Sequence, residues 1–485
     1  MKLSRLIEKC KVIAILGNNE AEVTAVTSDS RNVQPGALFI AVEGICTDGH
    51  AYIGKAIEQG ATVVVYDKPM IEEYFSRVTY VQVEESAVAL ALIASEWYGN
   101  PSEQLLLVGV TGTNGKTTIA SLLYKMFRYL GYPAGLLSTV ANYVNDERYA
   151  TTYTTPDPIT LNGYLRKMVD AGCAYVFMEV SSHAIHQQRV HGLRFAGGIF
   201  TNLTQDHLDY HKNMLEYRNV KKSFFDHLPP DAFALTNIDD RNGLVMLQNS
   251  KANKRTYSLK AMADFRARIV EKHFDGTDIE INGKELTVQF VGVFNVYNLL
   301  AVYGTAILLG LDEGDVLRTL SLLTPVEGRF QTIRSPKAYM AIVDYAHTPD
   351  ALNNVLRAIH ELLNNKGEII TVVGCGGNRD RTKRPLMARE AVNLSDKVVF
   401  TSDNPRFEEP EAILQDMIEG LTEEQKNAAL TIVDRREAIK TACALAQPGD
   451  VVLIAGKGHE DYQEIKGVRN HFNDKEEVEK IFSND

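Results

Sequence analysis

Cysteine is scarce in this chain. Cys10, Cys46, Cys173, Cys375 and Cys443 are odd in number, scattered through 485 residues and form no C-x-x-C pair. Neither a disulfide framework nor a thiolate zinc site is therefore suggested, and reduced thiols are expected. Long apolar runs are also missing: nothing approaches the ~18 residues of a membrane span, so no membrane insertion is expected. The N-terminus, Met1 to Leu16, breaks its apolar positions with Glu8, Lys9 and Lys11 and carries no signal-peptide core, which leaves the cytoplasm as the expected location. Positive charge is in deficit, with 51 Lys and Arg against 62 Asp and Glu and a formal net charge of −11. Nucleic acid is not an expected partner, because backbone affinity needs a basic field, and any anionic ligand must be held by local Arg and Lys. Repeats and low-complexity tracts are absent, and a monomer is expected.

What is present is an ordinary globular composition, 45% hydrophobic and 23% charged, in a chain too long for one core. About three domains follow from length. The chain is organised around residues 105 to 130. Leu105 to Val110 reads as a buried strand, Gly112-Thr113-Asn114-Gly115 as a tight turn, and Lys116-Thr117-Thr118 as the start of a helix. Ile119, Leu122, Leu123, Met126, Phe127 and Leu130 recur at three- and four-residue spacing, and Gly131 is placed to end the helix. A strand, a glycine turn and a helix N-terminus form a cradle of N–H donors for phosphate. Lys116 would then reach the β/γ-phosphates and the Thr117 hydroxyl would ligate Mg²⁺. The first glycine of G-x-x-x-x-G-K-[ST] would fall at Val110 and is found at Gly112 instead, so the loop is a shortened variant.

Residues 1–98 alternate short apolar runs (Ala37 to Val42, Thr62 to Tyr66, Tyr80 to Val83) with helical stretches and read as a small α/β domain. The helix Ser86 to Tyr98 stops at Gly99-Asn100-Pro101, a breaker cluster that sets the first boundary. Residues 99–327 continue as alternating strands and helices. Here Ala174 to Met178 ends in Glu179, and Gly198 to Phe200 leads into Thr201-Asn202 and Asp206-His207. Ligands of open parallel sheets bind at the carboxyl ends of strands, so Glu179 lies where a further Mg²⁺ ligand is needed. Residues 328–485 form a third α/β unit. Its strands, Met340 to Val343, Glu368 to Val373, Lys397 to Thr401 and Val451 to Ala455, all end in polar or glycine-rich residues that would rim a pocket.

Several constellations compete with plainer explanations. Gly374-Cys375-Gly376-Gly377-Asn378-Arg379 fails the dinucleotide fingerprint, which needs glycine where Arg379 stands. Cys375 is read as a small turn residue. His183, His186, His191, His207 and His211 crowd together in sequence without H-E-x-x-H, which argues for one of them on a nucleotide-bound Mg²⁺ rather than for catalytic zinc. Lys221 follows on a helical stretch, Glu216 to Phe225. It is either a solvated lysine or, if it faces the metal, a carbamate formed with CO₂. Asp403-Asn404-Pro405-Arg406 closes a strand with a rigid turn whose guanidinium suits a substrate carboxylate.

Taken in order, Thr111 to Thr117, Glu179 to His183, Thr201 to Leu203, Asp206 to His211, Asn295 to Asn298, Asp344 to Pro349 and Gly456 to Glu460 resemble the motifs of the Mur ligases across the whole chain. The resemblance implies an α/β fold of three domains: an N-terminal α/β domain for a UDP end, a central P-loop mononucleotide-binding ATPase domain and a C-terminal Rossmann-like domain for an amino acid. It implies ATP-dependent amide-bond formation through an acyl phosphate on UDP-MurNAc-L-Ala-D-Glu, a step of peptidoglycan synthesis. Lys116, Glu179, His207 and Lys221 would be catalytic. One Mg²⁺ would be held by Thr117 and Glu179, and a second by Glu179, His207 and carbamylated Lys221. ATP would meet Gly112, Thr113, Asn114, Gly115, Lys116, Thr117, Thr118, Asn298, Arg329 and Asp344. Sugar and peptide contacts fall on Thr154, Thr155, Ser181, Gln187 and Arg189, with uracil and diphosphate near Ser28, Ser30 and Ile45 to Thr47.

The incoming amino acid would meet Arg379, Asp403, Asn404, Pro405, Arg406, Gly456 and Glu460. Arg406 resembles the residue that receives the extra carboxylate of meso-2,6-diaminopimelate, and a lysine substrate would leave it unpaired. An L-lysine-adding relative, a folylpolyglutamate-synthetase-like or cyanophycin-synthetase-like ligase, and a regulatory nucleotide-binding protein remain the alternatives.

Overall fold

The computed structural model describes residues 1–485 except 45, 46, 70–74, 76, 152, 274, 365 and 485. Ile45 and Cys46, expected near uracil, thus lie outside the described residues.

Three sheets follow one another along the chain. The first orders its strands Val12–Leu16, Thr79–Val83, Ala61–Tyr66, Ala37–Ile40 and Ala25–Thr27, all parallel except the first. The helix Ser86–Trp97 leaves it and stops where Gly99 and Asn100 both take positive φ, followed by Pro101.

The central sheet has a parallel core of six strands in the order Asn253–Ser258, Phe233–Asn237, Gly197–Phe200, Leu106–Thr111, Tyr175–Glu179 and Ala134–Leu137. The helix Lys116–Tyr129 buries Ile119, Leu122, Leu123, Met126 and Phe127 completely against it. Phe127 meets Tyr175 and Phe177 with ring centroids 4.5 and 4.9 Å away. Each such side chain contributes about 1.5–3 kcal/mol, so the stripe anchors the phosphate loop at its far end. Gly131, at φ +84°, ends the helix in the left-handed conformation.

The strict alternation of strand and helix expected over 99–327 does not hold. An antiparallel pair, Asn142–Val144 with Glu147–Tyr149, extends one edge of the sheet. A three-strand meander, Phe265–His273, Gly276–Ile281 and Lys284–Val288, extends the other. The signal was present. Phe265 to Arg268 alternate buried and exposed, and Asn282-Gly283, both at positive φ, is a hairpin turn.

The third sheet runs Gln331–Arg334, Met340–Asp344, Val451–Ala455, Ile369–Val373, Lys397–Phe400 and Leu430–Thr431, parallel after its first strand. The four expected strand ends therefore do lie side by side. A hairpin, Tyr462–Ile465 with Val468–His471, stands outside this sheet. Among the described residues, no helix is long and apolar enough to cross a membrane.

Candidate active site

A cleft of about 1100 Å³ is lined by residues of both the central and the third sheet. Its floor is the phosphate loop. Gly112, at φ +149°, sits so close to the neighbouring strand that a Cβ would lie 1.8 Å from Thr201 Oγ1. That hydroxyl is itself committed, donating to the Asn114 carbonyl at 2.6 Å. The first N–H groups of the helix Lys116–Tyr129 have no intrahelical acceptor and face the cleft, as an anion site requires.

Two lysines share one acceptor here. Lys116 Nζ donates to the carbonyls of Gly112 and Thr113 at 3.0 and 2.8 Å, and Lys221 Nζ donates to Gly112 O at 2.8 Å. Burial lowers the pKa of both, and for Lys221 the charge of Lys116 adds to it. Lys221 is 1% exposed, which overturns the solvated alternative. Its helix, Met214–Asp226, reaches the loop because Gly109 and Gly198 leave room for Phe224: a Cβ at either would meet that ring at 2.7 or 2.8 Å.

Glu179, buried at its strand end, accepts from Thr117 Oγ1 at 2.9 Å through one oxygen and from the Thr139 N–H at 2.7 Å through the other. Arg329, from the start of the third unit, stacks on Tyr345 at 4.4 Å and donates to Thr117 Oγ1 at 3.0 Å. Asp344 accepts the Phe330 N–H, and burial pushes its carboxyl up to about 6. Asn298 lies beside Gly115, where a Cβ would come within 2.6 Å of its Oδ1.

His207 adopts φ +55° and sits edge-on to His183 at 4.9 Å; burial lowers the pKa of both rings, that of His183 to about 4. Asp206 beside it joins the two sheets: its oxygens lie 3.4 Å from His207 Nε2, 3.9 Å from His347 Nε2 and 3.8 Å from Lys383 Nζ. Burial would raise this carboxyl, but His207, Lys383 and His347 outweigh it and hold it well below the usual range. Asp206, His347 and Lys383 were not singled out as site residues. The sequence marked only the motifs of the first two, and the partnership across 141 and 177 positions is visible only in space.

One wall gathers Thr154, Thr155, Ser181, Gln187 and Arg189. Thr155 Oγ1 donates to Glu179 O at 2.8 Å, Arg189 Nη1 donates to Thr155 O at 2.8 Å, and Arg189 Nη2 donates to Gln187 Oε1 at 2.6 Å. The cleft is also lined by Arg379, Asp403, Asn404, Arg406, Gly456 and Glu460, a second wall. Asn404 Nδ2 donates to Glu460 Oε2 at 2.8 Å, and Arg406, at φ +53°, donates to Gly377 O at 2.8 Å. Arg379 is exposed, lines the cleft and has no side-chain hydrogen bond or ion pair among the described residues. Lys457, fully buried under this wall, was also missed; only its motif, Gly456 to Glu460, was read. Ser28 and Ser30 do not line the cleft and sit in the first sheet's loop.

Cys375 is buried in its turn with its thiol pushed up to about 12 by burial, so the small-turn-residue explanation holds. Among the described residues, the grouping of three potential metal-ligand atoms is Glu271, His273 and Asp278, at the outer meander and far along the sheet from the loop.

Comparison with known proteins assigns residues 22–98 to the Mur ligase family catalytic domain, 110–306 to the Mur ligase middle domain and 328–458 to the Mur ligase glutamate ligase domain. The chain is 59% identical over 483 residues to UDP-N-acetylmuramoyl-L-alanyl-D-glutamate–2,6-diaminopimelate ligase of Bacteroides fragilis, covering 100% of this chain and 99% of that one. The protein of the same name from Parabacteroides distasonis is 60% identical over 484 residues, with the same coverage. A solved structure of a ligase of that name superposes with a TM-score of 0.69 at 30% identity, covering 100% of this chain and 99% of the other.

Proposed function

The chain belongs to the Mur ligase family, and from that premise we propose that it joins meso-2,6-diaminopimelate to UDP-MurNAc-L-Ala-D-Glu at the expense of ATP, in the cytoplasm and as a monomer. The units would be 1–98 for the UDP end, 99–327 for ATP and 328–485 for the amino acid. One observation carries the proposal: the phosphate loop and the Asn404–Arg406–Glu460 wall open on the same cleft.

A carboxylate is a poor electrophile, and transfer of the γ-phosphoryl group from ATP to the D-Glu side chain turns it into an acyl phosphate with a good leaving group. The amine of the incoming amino acid then displaces phosphate through a tetrahedral intermediate. Lys116 and the helix N-terminus neutralise the phosphates as the anionic acceptor approaches. Arg329 adds a second positive charge at Thr117. Arg189 and Gln187 hold the peptide end, and Arg406 with the exposed Arg379 receives the distal carboxylate while Glu460 and Asp403 face its ammonium.

The donor set fits Mg²⁺. The Thr117 hydroxyl and the Glu179 carboxylate are hard oxygen donors brought to one point at the loop. Thr117 and Glu179 would hold one ion, and Glu179, His207 and a Lys221 carbamate a second; bound there, Mg²⁺ supplies charge neutralisation at the transferring phosphoryl group. A carbamylated Lys221 keeps one N–H on Nζ, so its bond to Gly112 O would survive the modification.

The test is phosphate release by the purified protein with ATP, Mg²⁺ and UDP-MurNAc-L-Ala-D-Glu, comparing meso-diaminopimelate with L-lysine. Turnover that requires the nucleotide-sugar dipeptide and prefers meso-diaminopimelate is expected. Preference for lysine would overturn the role of Arg406, and silence with every amine would overturn the ligase.

A further inference from the structure

Beneath the amino-acid wall lies a fully buried cation that does not itself line the cleft. Lys457 Nζ donates to Asn404 Oδ1 at 3.1 Å and to Glu460 Oε2 at 3.3 Å, and lies 3.7 Å from Asp403 Oδ1. The ring of Tyr462 closes the remaining side at 5.6 Å. The other buried cation nearby, Arg435, is matched one-to-one by Asp474 in a pair that is wholly removed from solvent. Two carboxylates, Asp403 and Glu460, are therefore left to a single lysine. A buried charge without a partner is expensive, so this arrangement is built to be completed.

We propose that Lys457 is a positioning residue for amino-acid selection: it pins Asn404 and Glu460 and leaves Asp403 and Glu460 with one net negative charge, matched to the ammonium of the incoming amino acid. The inference rests on the assignment of this wall to the amino acid. Asn404 is fixed from both ends, its amide donating to Glu460 and its carbonyl oxygen accepting from Lys457 and from the Glu464 N–H at 2.9 Å. Lys457 thus sets the rotamer of the residue that links the strand end at Phe400 to the hairpin Tyr462–Ile465 with Val468–His471. The electrostatics run the same way. Burial and Asp403 raise the Glu460 carboxyl, and Lys457 and Asn404 work against that rise. The groups facing this pair are Asp403, Arg435, Tyr345, whose hydroxyl donates to Glu460 Oε1 at 3.4 Å, and Tyr462, with Arg406, Arg469 and Glu464 beyond its ring.

Lys457→Met in the full chain provides the test, with KM for meso-diaminopimelate, ATP and UDP-MurNAc-L-Ala-D-Glu measured from about pH 6 to about pH 9 and divided by the wild-type value at each pH. Without the lysine Glu460, whose carboxyl burial and Asp403 already raise, loses a charge that opposes that rise, so a proton on it is favoured and binding the ammonium must expel it. The amino-acid KM ratio should be about tenfold or more near neutrality and fall as pH rises, while the ATP ratio stays within about twofold. A ratio raised equally at every pH, or raised equally for all three substrates, would mean that Lys457 only supports the fold and would overturn the proposal. Should the single variant not fold, Lys457→Met with Glu460→Gln removes one charge of each sign. That variant should fold and give a pH-independent ratio, and a pH-dependent ratio there would also overturn the proposal. A wild-type protein that does not use meso-diaminopimelate would instead overturn the assignment of the wall.

Discussion

Arg329 and Thr117 are 212 residues apart and joined by one hydrogen bond, from a guanidinium nitrogen to a hydroxyl, at 3.0 Å. The bond ties the first loop of the third unit to the phosphate loop, at the residue that also holds Glu179. Arg329→Ala should lower kcat by about 10²–10³ through the loss of one charge at the transferring phosphoryl group. Thermal unfolding should change little by comparison. A full-rate variant in a phosphate-release assay would sink the assignment.

Gly112 and Gly115 both have positive φ, yet their substitution should differ. At Gly112 a Cβ would lie 1.8 Å from Thr201 Oγ1, which is held by Asn114, whereas at Gly115 it would lie 2.6 Å from Asn298 Oδ1, at the end of a side chain held by one longer bond to Asn295 at 3.2 Å. Gly112→Ala should cost more than about 2 kcal/mol of stability and abolish nucleotide binding, with Gly115→Ala the milder of the two. Denaturant midpoints and nucleotide titration of the pair check the order, and the reverse order would contradict the geometry.

Among the described residues the Arg406 guanidinium bonds only a backbone carbonyl, at Gly377, and has donors left for a ligand. Arg406→Ala should reduce kcat/KM for meso-diaminopimelate by at least about thirtyfold, the low end for truncating one side of a buried charge pair. The KM for ATP should stay near its starting value. Equal losses for both substrates would remove the specificity role.

Asp344 carries a pH signature. Its carboxyl is raised from 3.8 to about 6 by burial, in opposition to Arg329 and the N–H groups of Phe330 and Ala346. The folded state therefore binds this proton more tightly than the unfolded one. The contribution to stability is complete below about pH 4 and is lost as pH rises through about 6, a swing of about 3 kcal/mol. Asp344→Asn should flatten the stability profile across that window, measured by urea midpoints; an unchanged slope would show that another group is responsible.

Lys221 has no carboxylate partner among the described residues and a carbonyl as its bonded acceptor. Mass analysis of the intact protein equilibrated with labelled CO₂ should find the label on Lys221, and Lys221→Met should lose about 100-fold or more in kcat with nucleotide binding retained. Plain lysine together with full activity in CO₂-depleted buffer would refute the carbamate.

The phosphate loop was legible in the chain because its physics is local. A buried strand, two glycines at positive φ and a 3.6-residue apolar stripe occupy consecutive positions, so Gly112 to Leu130 folded as read. The ends of the third sheet's strands were legible for the same reason, as apolar runs that stop in polar residues. The outer meander from Phe265 to Val288 escaped because half-exposed strands bury only alternate residues and leave a weak apolar signal. Tertiary structure alone decided the rest: that Lys221 is buried, that Asp206 meets His347 and Lys383, and that Lys457 stands between Asp403 and Glu460. Sequence spacing sets which face of a helix or strand a side chain occupies. Burial and charge partners depend on which strand ends the sheet order brings together, and those contacts join residues that the chain keeps far apart.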